Sequence, residues 1–276
     1  ESFPGSNQKS AFLGLMGKQL FENIRAAQPE EYTKIGQNFL EALQEKEITV
    51  YTHNNQLNLT LKELNWDGSI RNPQCSLNNC FTDYIHINEA NLGVNKANYF
   101  LRRSIEEGIT ITKSGVINHQ LKINYENTAA SKNWPGGDYT AYIRVYLPTG
   151  TEISQIAVYN SQNSGNKSLI KPENRDEKIE FGKQVVGFEL KVPIQERKTV
   201  EVNFSQAADF SGESFGYLLY WQKQPGYRNT PISLLVEFPD NWQPLQVNPA
   251  ANVVSGKLLF NKQLNQDLNF GIQFSQ

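Results

Sequence analysis

The segment NLGVNKANYFLRR, residues 91–103, gathers several groups able to hold a ligand. Asn91, Asn95 and Asn98 offer donors and acceptors, Lys96, Arg102 and Arg103 offer cations, and Tyr99 offers an aromatic face. Two binding chemistries suit the set. Guanidinium forks and an ammonium match phosphate oxygens, whereas amides beside an aromatic ring suit a sugar. A structural role suits it too, and is the stronger reading: Gly93 permits a turn, and Asn side chains satisfy loop backbone groups. On that reading the segment is a bonded joint between two domains. Lys96 and Arg102 pair with acids such as Asp83 or Glu89, and Tyr99 packs as the first core residue.

No recognisable catalytic set accompanies it. There is no G-x-S-x-G, H-E-x-x-H or P-loop, and no G-x-G-x-x-G opens a helix. His53, His86 and His119 lie in or beside strand-like segments and read as surface or satisfied polar residues. PENRDEKIE, residues 172–180, concentrates four acids, but its spacing is not that of a calcium loop and it reads as a solvated hairpin tip. Cys75 and Cys80 suit a small disulfide clip, with free thiols as the alternative; a metal half-site would need a second ligand pair that the three His do not supply. Trp134, Trp221 and Trp242 are candidates for a glycan platform, since sugars stack on aromatic faces, against the plainer role of lids over a core. No catalytic residue, cofactor or metal ligand is assigned, and the balance leans against an enzyme.

The elements that must position these groups divide the chain. Residues 10–46 read as two helices. The first is capped by Ser10. The second opens on Pro29 with Glu30 and Glu31 in its first turn, has Lys46 at its end, and carries a buried stripe of Tyr32, Ile35, Phe39, Leu40 and Leu43. EITVYTH reads as a short strand. A third helix follows, with Asn54 or Asn55 as cap and Gly68 ending it. After residue 97 the pattern is β throughout, about nine strands with regular turn signals and no helical interruption. In the first hairpin, Ile105, Ile109 and Ile111 face Leu121, Ile123 and Tyr125. The expected fold is α+β: a helical or mixed α/β subdomain over 1–90, part of a larger upstream domain, then an antiparallel immunoglobulin-like β-sandwich over 91–276.

The order LNWDG, then DYIHINEANLGVNKANYFLRR, then YTAYIRVYLPTGTEI, then YLLYWQKQPG resembles the C-terminal half of the bacterial domain-of-unknown-function 4012 family, over roughly residues 10–276. Asp67, Gly68, Asn91, Gly93, Asn95, Lys96, Asn98, Tyr99 and Arg102 fall on the family's characteristic positions. The resemblance implies a membrane-anchored, extracytoplasmic bacterial protein, with no established activity and no catalytic residues to carry over. The family's more N-terminal segment is absent, so the anchor is expected upstream of Glu1.

A net charge of −2 gives no field to attract nucleic acid. No run of residues is long and apolar enough to span a bilayer. The expectation is a non-enzymatic cell-surface interaction module, its partner a cell-envelope glycan or another surface protein. The alternatives are a phosphate- or glycan-polymer-handling protein related to wall-polymer ligases, using Lys96, Arg102 or Arg103 as phosphate contacts, or a carbohydrate-binding module.

Overall fold

A computed structural model describes residues 6–76, 79–93, 95–161, 163–227 and 229–276. It divides into two compact units, the first ending at Asp67 and the second spanning Gly68–Gln276. The division precedes the expected one at 90/91. Residues 80–91 are a central strand of the second unit, bonded on both edges, and so cannot belong to the first.

The first unit is helical. It holds α1 (Ser6–Ala26), α2 (Pro29–Gln44) and α3 (Asn55–Glu63). Pro29 opens α2, where its missing N–H costs nothing, and Gln28 and Glu31 close a capping box. The Asn54 side chain caps α3 by accepting from the amides of Gln56 and Leu57. Four expectations fail. Ser10 lies inside α1 rather than at its cap. Residues 47–53 form no strand; the Val50 amide instead donates to the Trp66 carbonyl. Asn65, at φ 64°, takes the left-handed position after α3, although Gly68 also has positive φ. Of the α2 stripe only Leu43 is buried, while Tyr32, Phe39 and Leu40 are exposed.

The second unit is two large β-sheets. The first runs, edge to edge, β12 (Gln243–Asn248), β15 (Leu268–Ser275), β10 (Ser214–Gln222), β1 (Cys80–Asn91), β4 (Tyr139–Pro148), β8 (Lys183–Val192) and β7 (Arg175–Glu180). The second runs β13 (Asn252–Val254), β14 (Lys257–Gln263), β11 (Pro231–Glu237), β2 (Leu101–Ile111), β3 (Val116–Asn127), β9 (Arg197–Ala207), β5 (Glu152–Asn160) and β6 (Asn163–Leu169). That is fifteen strands among the described residues, against about nine expected, because short edge strands such as β13 carry too few residues to show a period. Pairing is antiparallel except at two places: β1 lies parallel to β10, and β2 parallel to β11. These two pairs join the strands before residue 207 to those after it.

Alternation of side chains builds the core. Ile105, Ile109 and Ile111 of β2 and Leu121, Ile123 and Tyr125 of β3 are all buried, as the period of two requires. They join Ile85, Ile87, Ile143, Val145, Phe188, Val202, Trp221 and Phe270 in one cluster drawn from both sheets. Trp221 and Trp242, at 0% and 4% exposure, belong to that core. The platform reading therefore fails for both, and β10 is central, with Tyr220 packed on a second cluster on its other face.

A disulfide joins Cys75 to Cys80, the first residue of β1. The sequence separation is only 5, so removing it frees little unfolded-chain entropy, about 2 kcal/mol. A Cys75→Ser/Cys80→Ser variant is expected to fold with a small drop in urea midpoint. Loss of folding at room temperature would show that the clip contributes more than loop closure.

Candidate ligand-binding cleft

Three crossovers between the two sheets gather at one end of the second unit. β1 passes to β2 through residues 92–100, β3 passes to β4 through 128–138, and β10 passes to β11 through 223–230. Because β10 runs parallel to β1 and β11 parallel to β2, the third loop lies beside the first. These loops carry NK-x-N-Y, WPGG and KQPG, three motifs far apart in sequence.

Between them lies a cleft of about 500 Å³, lined by Lys96, Asn98, Tyr99, Phe100, Leu101, Trp134, Pro135, Gly226 and Tyr227. Tyr99 and Trp134 are 63% and 60% exposed, so both rings reach the solvent. Tyr99 meets Phe100 edge-on, with centroids 5.2 Å apart.

The rim is fixed by its asparagines. Asn91 Oδ1 accepts from the Gly93 amide at 2.8 Å, and Asn95 Oδ1 accepts from the Ala97 amide at 3.1 Å. Asn95 Nδ2 donates to the Asp138 carbonyl, and the Lys96 amide donates to the Pro135 carbonyl, both at 3.0 Å. The first loop is thereby tied to the second. Gly137 sits at φ 125°, and a Cβ there would come within 2.8 Å of Asn95 Nδ2, so its lack of a side chain permits this approach.

Residues 91–103 therefore split by role. Asn91, Gly93 and Asn95 are structural, as a bonded joint requires. Lys96, Asn98 and Tyr99 are exposed and line the cleft. The joint links two sheets of one unit rather than two domains, and Leu101, not Tyr99, is buried in the core. Asp67 lies in the first unit and Gly68 opens the second, away from these loops in the chain. Arg102 stands on the outer face of β2, 3.9 Å from Glu126, which also binds Arg197.

Under the cleft lies a buried polar cluster that the sequence did not announce. Glu89 Oε1 accepts from Arg103 Nη1 at 2.5 Å and from the Tyr125 hydroxyl at 2.9 Å. Its Oε2 accepts from the hydroxyls of Tyr139 at 2.7 Å and Tyr227 at 3.3 Å. The Arg103 guanidinium lies 3.6 Å from the centre of the Tyr227 ring and donates to Thr230 Oγ1. Gln224 bonds both the backbone N–H and the carbonyl of Glu89, which fixes the third loop on β1. Burial opposes the Arg103 charge, but Tyr227 and Glu89 outweigh it and raise its pKa. Tyr227 thus floors the cleft and roofs a neutralised ion pair.

A second buried cluster lies toward the other end of β1. His119 Nε2 lies 3.2 Å from Asp83 Oδ2, and its Nδ1 lies 2.8 Å from Glu107 Oε1. Tyr217 and Gln206 donate to Asp83 at 2.6 and 2.9 Å. Burial pushes His119 down, but Asp83 and Glu107 lift it to about 9. Burial would raise Asp83, yet the His119 charge and these hydrogen bonds hold it below its ordinary range. Glu107 is raised by burial. Among the described residues, no group of three or more His, Cys, Asp or Glu is placed to hold a metal ion. No described helix is long and apolar enough to cross a membrane.

No family model and no curated protein matches the chain. Among solved structures it is similar to yeast LTA4 hydrolase in complex with bestatin, at 8% identity and TM-score 0.36 over 67% of this chain and 31% of that one. It is also similar to an M1 zinc metallopeptidase from Deinococcus radiodurans, at 10% identity and TM-score 0.32 over 63% and 42%. The chain spans 31–42% of the length of these structures, and likeness at this level carries no functional argument.

Proposed function

We propose that this chain is a non-enzymatic, extracytoplasmic binding module of an anchored bacterial surface protein, and that its cleft takes a sugar ring of a cell-envelope glycan. One observation carries this reading: the exposed rings of Tyr99 and Trp134 line the same cleft as the polar side chains of Lys96 and Asn98. An aromatic face stacks on the C–H face of a pyranose while neighbouring polar groups take its hydroxyls. The two-sheet body serves here as an immunoglobulin-like module does, a rigid scaffold presenting loops at one end. The Cys75/Cys80 disulfide fits an oxidising compartment.

The phosphate-polymer alternative has less support. Of its three cations, Arg103 is neutralised by Glu89 and Arg102 shares its surface with Glu106 and Glu126, which leaves Lys96 alone.

Trp134→Ala is expected to weaken binding of the best ligand from a glycan array about tenfold, in line with the loss of one aromatic platform. Titration calorimetry on the wild type and the variant checks it. Equal affinities would remove the cleft from the binding site.

A further inference from the structure

The charge of the cleft narrows the class of sugar. Among the nine described residues that line it, Lys96 is the one with a formal charge, and none is an acid. Lys96 is exposed and makes no ion pair among the described residues. The buried carboxylate of Glu89 below is already satisfied by Arg103 and three tyrosine hydroxyls. Its charge is thus balanced inside the unit and does not offset the ammonium above. An ammonium in a cleft lined by two exposed aromatic residues loses part of its water when a sugar ring stacks there, and a neutral sugar returns only hydroxyl contacts.

Building on the sugar-binding reading, we infer that the cleft selects a glycan with an anionic group on the stacked pyranose, either a hexuronate carboxylate or a sulfate or phosphate ester. The ring lies on Trp134 and Tyr99, and the anion meets the Lys96 ammonium. Asn98 takes a hydroxyl at the rim. Lys96 sets specificity, while the aromatic pair supplies stacking common to any pyranose.

The test uses a panel of defined oligosaccharides, each in charged and uncharged form: hexuronates with their methyl esters, and sulfated or phosphorylated hexoses with the unmodified sugars. Binding is measured by calorimetry at low and high salt. The charged forms should bind about tenfold more tightly than their neutral partners, and high salt should shrink the gap. Lys96→Met should erase the gap with an unchanged unfolding midpoint. Preference for carboxylate members over ester members, or the reverse, identifies the source of the charge. If neutral and charged forms bind wild type equally, with Trp134→Ala still weakening both, the charge inference falls and the sugar-binding reading stands. If no member shows binding that depends on Trp134, both fall.

Discussion

Glu89→Ala is expected to lower the unfolding free energy of the β-sheet unit by about 3–5 kcal/mol, more than the loss expected from opening the Cys75/Cys80 disulfide. The substitution leaves the Arg103 guanidinium buried without its carboxylate. It also strands the hydroxyls of Tyr125 and Tyr139, which are themselves buried. Desolvation of each unpaired group adds to the loss. A Glu89→Leu/Arg103→Met double variant should recover much of it, because two apolar side chains impose no unpaired charge. Urea unfolding of the three proteins is the measurement. A Glu89→Ala midpoint equal to that of the wild type would mean that the cluster contributes nothing net. Because Tyr227 bonds Glu89 and lines the cleft, both variants should also bind glycan more weakly than the wild type.

The second large effect is in pH. His119 is lifted to about 9 from an ordinary 6.5, so its contribution is fully present below about pH 6.5 and is lost as pH rises through about 9. The interval corresponds to a loss on the order of 3 kcal/mol. Asp83 works at the other end. Held below its ordinary 3.8, it stabilises the fold above that value, and its contribution is lost as pH falls through the lowered one. Glu107, raised by burial, opposes folding once the pH passes its ordinary 4.5. Unfolding free energies measured at pH 6.5 and pH 9.5 should therefore fall with pH. His119→Gln should be less stable at pH 6.5 and show a smaller fall. A wild-type stability that is flat or rising across that window defeats the assignment of charge to His119.

Both clusters follow the period of two that made the strands legible. In β2, Arg103 and Glu107 share parity with Ile105 and Ile109; in β3, His119 shares parity with Ile117 and Leu121. In β1, Asp83 and Glu89 share it with Ile85 and Ile87. The alternation that placed the isoleucines inward placed five ionisable residues inward with them. A sequence reading that counts only apolar residues on a face passes over this. The partners were less accessible. Tyr227 and Thr230 reach the first cluster from a loop 138 and 127 residues from Glu89 and Arg103 respectively, a separation that no local pattern encodes. The cleft was legible in parts, since residues 91–103 and Trp134 each stood out as groups able to hold a ligand. That the loop of residues 223–230 lies beside them depends on the parallel alignment of β1 with β10, and hairpin signals say nothing about parallel pairs. The helices show the reverse case: the Asn54 cap of α3 and the Pro29 start of α2 were readable, because a helix start is decided within four residues, whereas the burial of the α2 stripe depends on what lies beside it.

The two parallel pairs have a consequence for synthesis. Ribosomes release β1 and β2 more than a hundred residues before the strands that close their second edges, since Cys80 aligns with Gly216 and Ile105 with Ile232. During that interval both sheets end in open strands, and Asp83 waits for Tyr217 while Arg103 waits for Thr230. A nascent chain stopped near residue 207 holds nine strands it cannot seal, with charged groups inside the gap. Both sheets are thus completed only when β10 and β11, from the last quarter of the chain, pair with β1 and β2, and that quarter acts as the clasp on the earlier strands.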